Sequence, residues 1–343
     1  MKTLLTTFLL CFSANLFAQT ETIQRRFCKQ RIEGLSPQRI VSFGYDVYLP
    51  YTMVFSPLGE YPPGSNTVPV AERADAQYSG GFRAALLIPV YNKEAGTFAF
   101  NLQYRNTEYA LENIETPDPH GLTAALDENG LQVLSAGFTF FKPLNLKHYL
   151  QGQYITELGG DYQWDNPQSL QYLRHSAAIM WGKKVHERKQ WGLGLSSTYR
   201  GGAANIFPVL QFNWTSSNTP WGVEILLPAK AQVRYSFTPN HMLFAGFELE
   251  GASMRIGRLS ANGNSFEIRR SELRPRFEYM QKVWKGVWFS ASAGLRMNWS
   301  YHGDILPEGK DFFRSLFMDK PFAMFNDLGN PLFFQVGIHY VAF

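Results

Sequence analysis

The 343-residue chain has a formal net charge of +4, with 17% charged and 15% aromatic residues. Mean hydropathy is −0.22, and no internal run approaches the ~18 apolar residues of a spanning helix, which excludes a helical membrane protein. Charge this small and dispersed gives no basic patch for nucleic acid. A charged fraction below the roughly 25% of soluble domains, with 29 glycines and abundant aromatics, fits a transmembrane barrel, in which alternate strand residues face lipid.

In chain order, the first element is "MKTLLTTFLLCFSANLFAQ". Lys2, the apolar stretch Leu4 to Phe12 and the small Ala18 predict a signal peptide over 1–18 and secretion through the inner membrane. Cys11 leaves with it, so Cys28 is alone and makes no internal disulfide. Residues 19–38 carry Arg25, Arg26, Lys29 and Arg31. They are expected as a periplasmic N-terminal segment, lying in the periplasm or entering the lower lumen. The barrel is expected over 39–343.

Strands follow by their period of two. Phe98, Phe100, Leu102 and Tyr104 alternate with Ala99, Asn101, Gln103 and Arg105. Trp191, Leu193 and Leu195 alternate with glycine and serine. Ala231, Val233, Tyr235 and Phe237 alternate with Lys230, Gln232, Arg234 and Ser236. From 287 to 301 one row runs from Val287 through Phe289, Leu295, Met297 and Trp299 to Tyr301. Short polar connections, such as those at 92–96, 142–145, 216–220 and 238–241, alternate with long ones at 56–76, 110–130, 162–171, 257–265 and 302–330. That is the pattern of a barrel with tight periplasmic turns and long outer loops. Splitting "WGVEILLPAKAQVRYSF" at Pro228 gives 14 strands, and merging it gives 13. Both termini belong on one side, so the count must be even. The prediction is an all-β, transmembrane, antiparallel up-and-down barrel of 14 strands, with 12 as the alternative.

The stretch "FPVLQFNWTSSNTPWGVEILLPAKAQVRYSFTPNHMLFAGFELEGASMRI" resembles a recurring segment of uncharacterised outer-membrane barrels of diderm bacteria, grouped as domain-of-unknown-function families. The resemblance implies this fold and an outer-membrane location, and no activity. The terminal "LFFQVGIHYVAF" places Leu332, Phe334, Val336, Ile338, Tyr340 and Ala342 on a lipid row and Phe333, Gln335, Gly337 and His339 on a lumen row. Gln335, Gly337, Tyr340 and Phe343 resemble the polar-glycine-aromatic signal read by the barrel-assembly machinery, which makes that machinery an expected partner beside outer-membrane lipids.

Charges concentrate on one face. Arg270, Glu272, Arg274, Arg276 and Glu278 form a single row. Glu248 and Glu250 fall on the polar face of the preceding strand, Arg296 on the following one, and Arg234 further round. Facing lipid, each would cost about 2–4 kcal/mol at the midplane, so the lumen is their expected home. Either the row braces the wall as a cross-strand ion-pair network, or it lines a pore as a selecting ring. In the longest loop, Phe312, Phe313, Leu316 and Phe317 recur at helical spacing, as a constriction tucked into the mouth or a rim-packed segment. Catalysis finds little footing: His175 and Ser176 are adjacent and point to opposite faces, and no metal or phosphate motif is present. The expected function is a passive or weakly selective channel for small polar solutes with an Arg/Glu-lined lumen and no cofactor. The alternatives are a closed structural or surface-interaction barrel with an ion-paired lumen and, behind both, a lipid-modifying barrel enzyme.

Overall fold

The computed structural model describes residues 27–56, 71–115, 122–162, 173–200, 203–257, 266–305 and 324–341. The predicted signal peptide, the loop residues Phe312, Phe313, Leu316 and Phe317, and Phe343 lie outside the described residues.

Fourteen strands close into an antiparallel barrel. They are β1, in the segments Arg39–Tyr48 and Tyr51–Phe55; β2, Glu72–Lys93; β3, Gly96–Glu115; β4, Leu131–Pro143; and β5, His148–Gly160. Next come β6, Arg174–His186; β7, Lys189–Arg200; β8, Ala203–Thr215; β9, Trp221–Leu227; and β10, Lys230–Thr238. The last are β11, His241–Ile256; β12, Phe266–Trp284; β13, in the segments Val287–Leu295 and Met297–Ile305; and β14, in the segments Asn326–Leu328 and Leu332–Val341. Closure runs through β1 and β14, from Val41 opposite Tyr340 to Tyr48 opposite Phe333. The division at Pro228 holds, because Leu226 pairs with Lys230 and Trp221 with Tyr235.

Alternation sets the two faces. The outward row of β14 stands 49–58% exposed from Phe334 to Tyr340, while Phe333 and His339 are buried. Leu193 and Leu195 on β7 and Ile179 on β6 are likewise more than half exposed. Apolar side chains at that exposure on every side of the wall are stable only against lipid. Near the end that carries the short turns, Trp181 packs edge-on against Trp191 at 5.5 Å and Trp221 against Tyr235 at 4.8 Å, as interfacial aromatics do.

Two features depart from the sequence reading. Tyr301 does not share the outward face with Trp299. Glu272 pairs with Asn298 and Ser271 with Ser300, so Trp299 is an extra bulge residue and the faces exchange. Tyr301 therefore turns inward and is buried. The second is a helix, α1 (Leu122–Asn129), inside the segment expected as a loop. Leu122, Ala125 and Leu126 are buried at i, i+3, i+4 spacing. Gly130, at φ +60°, ends the helix and donates its N–H to the Leu126 carbonyl at 2.9 Å.

The wall is uneven. β9 and β10 have seven and nine residues, against 16 for β11. The β8–β9 ladder ends at Leu210 opposite Leu227, and the β10–β11 ladder at Lys230 opposite Glu248. Beyond that rung β11 continues from Leu249 to Ile256, about 26 Å of strand. There it crosses the barrel and meets β5, with Arg255 in parallel register beside Gly160. Asp161 N–H donates to the Arg255 carbonyl at 3.2 Å, and the Asp161 carboxylate accepts Gly257 N–H at 2.9 Å. The approach requires Gly159, where a Cβ would meet the Ser253 carbonyl oxygen at 2.8 Å. Arg174 on β6 then pairs with Glu267 on β12 at 2.8 Å. The upper β11–β12 pair thus lies against the inner faces of β5 and β6 and divides the barrel into two lobes.

The outward rows predict a simple outcome. Leu195→Arg should lower the unfolding free energy by about 2–4 kcal/mol in bilayers, read as a shift in the urea midpoint. A change below about 0.5 kcal/mol would place Leu195 in water.

Candidate functional site

The first lobe, enclosed by β1–β5 and β11–β14, is packed from end to end. The inward row of β12 passes through its layers in order: Ile268, then Arg270, Glu272, Arg274, Arg276 and Glu278, then Met280. Ile268 belongs to an apolar cluster with Met53, Phe55, Leu126, Met254 and Tyr301 toward the loop end. Met280 belongs to another with Met242, Phe244, Trp288 and Val341 toward the turn end.

Between these caps lie the predicted charges. Glu250 accepts from Arg83 and, at 3.0 Å, from Arg274, and forms an ion pair with Arg105 at 2.9 Å. Asp46 takes Arg83 and, at 3.5 Å, Arg274. Arg270 meets Glu272 at 2.7 Å. Arg276 bridges Glu248 at 2.7 Å and Glu278 at 3.1 Å, and Glu278 also takes Arg39. Arg296 lies over the rings of Tyr48 and Tyr51, at 4.4 and 4.7 Å, and Arg274 over Phe333 at 4.1 Å. Glu272 and Arg274 have no exposed surface. The row therefore forms three ion-pair clusters stacked across β1, β2, β3, β11 and β12, not the rim of an open axis. Arg234 stands apart, on the β9–β10 hairpin, where it pairs with Glu224 at 2.7 Å.

The second lobe encloses a large free space among the described residues. A cavity of about 770 Å³ lies between the inward rows of β5–β8 and the outward face of upper β11–β12. Ser196, Thr198 and Phe207 line one side, Leu249, Gly251 and Ser253 the other. Leu226 to Ala229, the tip of the short hairpin, form its sill.

Residues 27–38 cross the turn end of this lobe. Cys28 packs on Phe141 and Tyr149, inward residues of β4 and β5. Its N–H donates to the Asn145 carbonyl at 3.1 Å. Glu33 N–H reaches the Glu187 carbonyl at 2.7 Å. Ser36 donates its N–H and hydroxyl to the Glu224 carboxylate at 2.9 and 2.8 Å. Gly34, at φ +73°, sits where a Cβ would meet the Thr215 methyl at 2.7 Å. Burial pushes the Cys28 thiol above its ordinary pKa, against the pull of Lys184, so it stays protonated at neutral pH.

Sequence reasoning placed the ladder on one face and missed the cavity. The signal was present in the outward rows. On β11 that row changes from Leu243, Ala245, Phe247 and Leu249 to Gly251, Ser253 and Arg255. On β12 it changes from Phe277, Pro275 and Leu273 to Ser271, Arg269 and Glu267. Both leave lipid at one height. The terminal strand places Gln335 and Gly337 inward and Tyr340 outward, as read from sequence.

No family model and no curated relative matches the chain by sequence. Solved structures similar to it in outline are outer-membrane barrels. The COG4313 outer membrane channel from Pseudomonas putida F1 is 11% identical, covering 94% of this chain and 100% of that one, at a TM-score of 0.36. The P. putida toluene transporter TodX is 7% identical, covering 90% and 91%, at 0.37. The beta domain of the Bordetella autotransporter BrkA is 10% identical, covering 89% and 100%, at 0.28. Scores this low carry no functional argument, so function rests on the geometry above.

The network predicts a large response to one neutral substitution. Glu250→Gln leaves three arginines around an uncharged group and should cost about 3–5 kcal/mol, measured by urea unfolding. A loss below about 1 kcal/mol, as for exposed pairs, would mean that water fills the first lobe.

Proposed function

We propose that this barrel is an outer-membrane channel whose solute path runs through the second lobe and is shut at its periplasmic end by residues 27–38. The observation that carries this reading is the division of space. The axis is filled by two apolar caps and an ion-pair network, while about 770 Å³ stands free beside it. The short turns, with Arg39 of β1 and Val341 of β14 at the same end, define the periplasmic side, and α1 the outer side.

Solutes on this path meet uncharged polar groups such as Gln151 and Thr198, then Gln232 and the Glu224–Arg234 pair nearer the periplasm. Selection there is weak and favours small polar or amphipathic solutes, since the charges of the ladder are spent on one another. The ladder braces the wall, which is also what a closed structural barrel would need. Conductance separates these readings. The terminal strand, with Gln335 and Gly337 inward and Tyr340 outward, serves in this proposal as the handle for the assembly machinery.

Gly34→Val tests the plug without altering the wall. It forces a β-branched residue into a left-handed backbone and drives its side chain into Thr215. Single-channel conductance in planar bilayers should rise at least threefold over the unmodified protein. Alkylation of Cys28 at pH 8 should accelerate at least tenfold as the thiol becomes solvated and its pKa falls. Conductance unchanged with Cys28 exposed would contradict the path. Both unchanged would contradict the plug.

A further inference from the structure

The cavity of the second lobe touches residues that a space enclosed by the barrel could not reach. Ser196 and Thr198 belong to inward rows of the wall, but Ile179 on β6 and Leu227 on β9, which also line it, belong to outward rows. Ile179 is 52% exposed on the lipid-facing row of β6. The cavity therefore passes through the wall. The reason lies in the strand lengths: above Leu227 and Lys230 the wall has no β9 or β10, and β11 has swung inward to β5. The sill of the opening is Leu226, Leu227, Pro228 and Ala229, an apolar lip suited to acyl chains and not to water.

The chemistry of the lining narrows the occupant. Met180, Phe207, Val209 and Leu249 supply apolar surface. Gln153, Thr198 and Asn205 supply uncharged hydrogen-bonding groups. Three charged residues border the space, and each is engaged elsewhere: Glu250 with Arg83, Arg105 and Arg274, Arg270 with Glu272, and Arg269 in an interaction of its own. An ionised headgroup would enter without an uncommitted counter-charge, at a desolvation cost that a neutral one avoids. A volume of about 770 Å³ falls within the ordinary range of small-molecule sites.

We propose that the second lobe is a binding site for an uncharged amphipathic small molecule, an apolar body with a hydroxyl- or amide-type head, which exchanges with the membrane interior through the opening between β8 and β11. The proposal rests on the two-lobe reading above but not on passage to the periplasm. A bound amphiphile with no plug-dependent conductance would remove the path and keep the site. Plug-dependent conductance with no bound amphiphile would do the reverse.

The test uses full-length protein in phospholipid vesicles carrying a photoactivatable dodecanol, with the matching dodecanoate as its charged counterpart. Adducts are mapped to single residues. The alcohol should label Ala178, Ser196, Thr198 or Phe207 at least fivefold more than the carboxylate does, while both label the lipid-facing Leu193 and Leu195. Ala178→Trp, which fills the lobe, should reduce the inner adducts at least fivefold and leave the outer ones unchanged. Adducts confined to the outer face would overturn the site, and equal inner labelling by the carboxylate would overturn the neutral class. Should Ala178→Trp fail to fold, Ser196→Cys in a Cys28→Ser background carries the test. A bilayer-dissolved pyrene maleimide should modify it at least tenfold faster than a sulfonated, membrane-impermeant maleimide. The opposite order would show that the lobe opens to water.

Discussion

The crossing of β11 over β5 is the contact on which the rest of the barrel depends. It is a backbone contact, made possible by the absence of a side chain at Gly159 and fixed by the Asp161 carboxylate on Gly257 N–H. A strand that leaves the wall must satisfy its backbone groups elsewhere, because lipid offers none. The parallel register of Arg255 with Gly160 and the Asp161–Arg255 bond do part of that work. The shortness of β9 and β10 follows from it: once β11 has swung inward, longer strands on the hairpin would have no neighbour to pair with.

The crossing also makes the charge network workable. A 14-stranded barrel of full width has room for water along its axis, and arginines there would be solvated and weakly held. Halving the lumen brings β11 and β12 opposite β1, β2 and β3, so that Glu250 can reach Arg83 and Arg105 across the lobe. Buried ion pairs of this kind are poor sources of net stability compared with an apolar core, but removing one partner is costly. The network therefore holds the crossing in one register, with the apolar caps on either side excluding water from it. What the first lobe loses in free volume the second retains, bounded on one side by a strand surface that would otherwise face lipid.

Much of this was legible in the sequence, and the reason is the period of two. The rows of β7, β10 and β14 read directly as lipid and lumen faces, and the parity of the barrel required the break at Pro228. The placement of Arg270 to Glu278 on one inward row followed from the cost of charge in lipid. The lobes did not follow, because alternation reports which way a residue points from its own sheet and not what lies opposite. Gly251, Ser253 and Arg255 look the same whether the strand is emerging from the membrane into water or folding into the barrel. Tyr301 was misplaced for a related reason: a single bulge at Trp299 inverts everything after it, and a bulge leaves little trace in composition. Helix α1 was hidden by its brevity, though Leu122, Ala125 and Leu126 before Gly130 carry its pattern.

The division of the barrel stands or falls with the crossing of β11 to β5. Gly160→Cys with Arg255→Cys, in a Cys28→Ser background, tests it most directly, since the two positions are register partners only if the strand crosses. Mild oxidation of the folded protein should then form an intramolecular disulfide at high yield, seen by mass spectrometry of the linked peptides and by altered gel mobility reversed on reduction. In an undivided barrel five strands would separate these residues, far beyond the ~7 Å Cα limit for a disulfide. Absence of the link in protein that retains its heat-modifiable mobility would contradict the account.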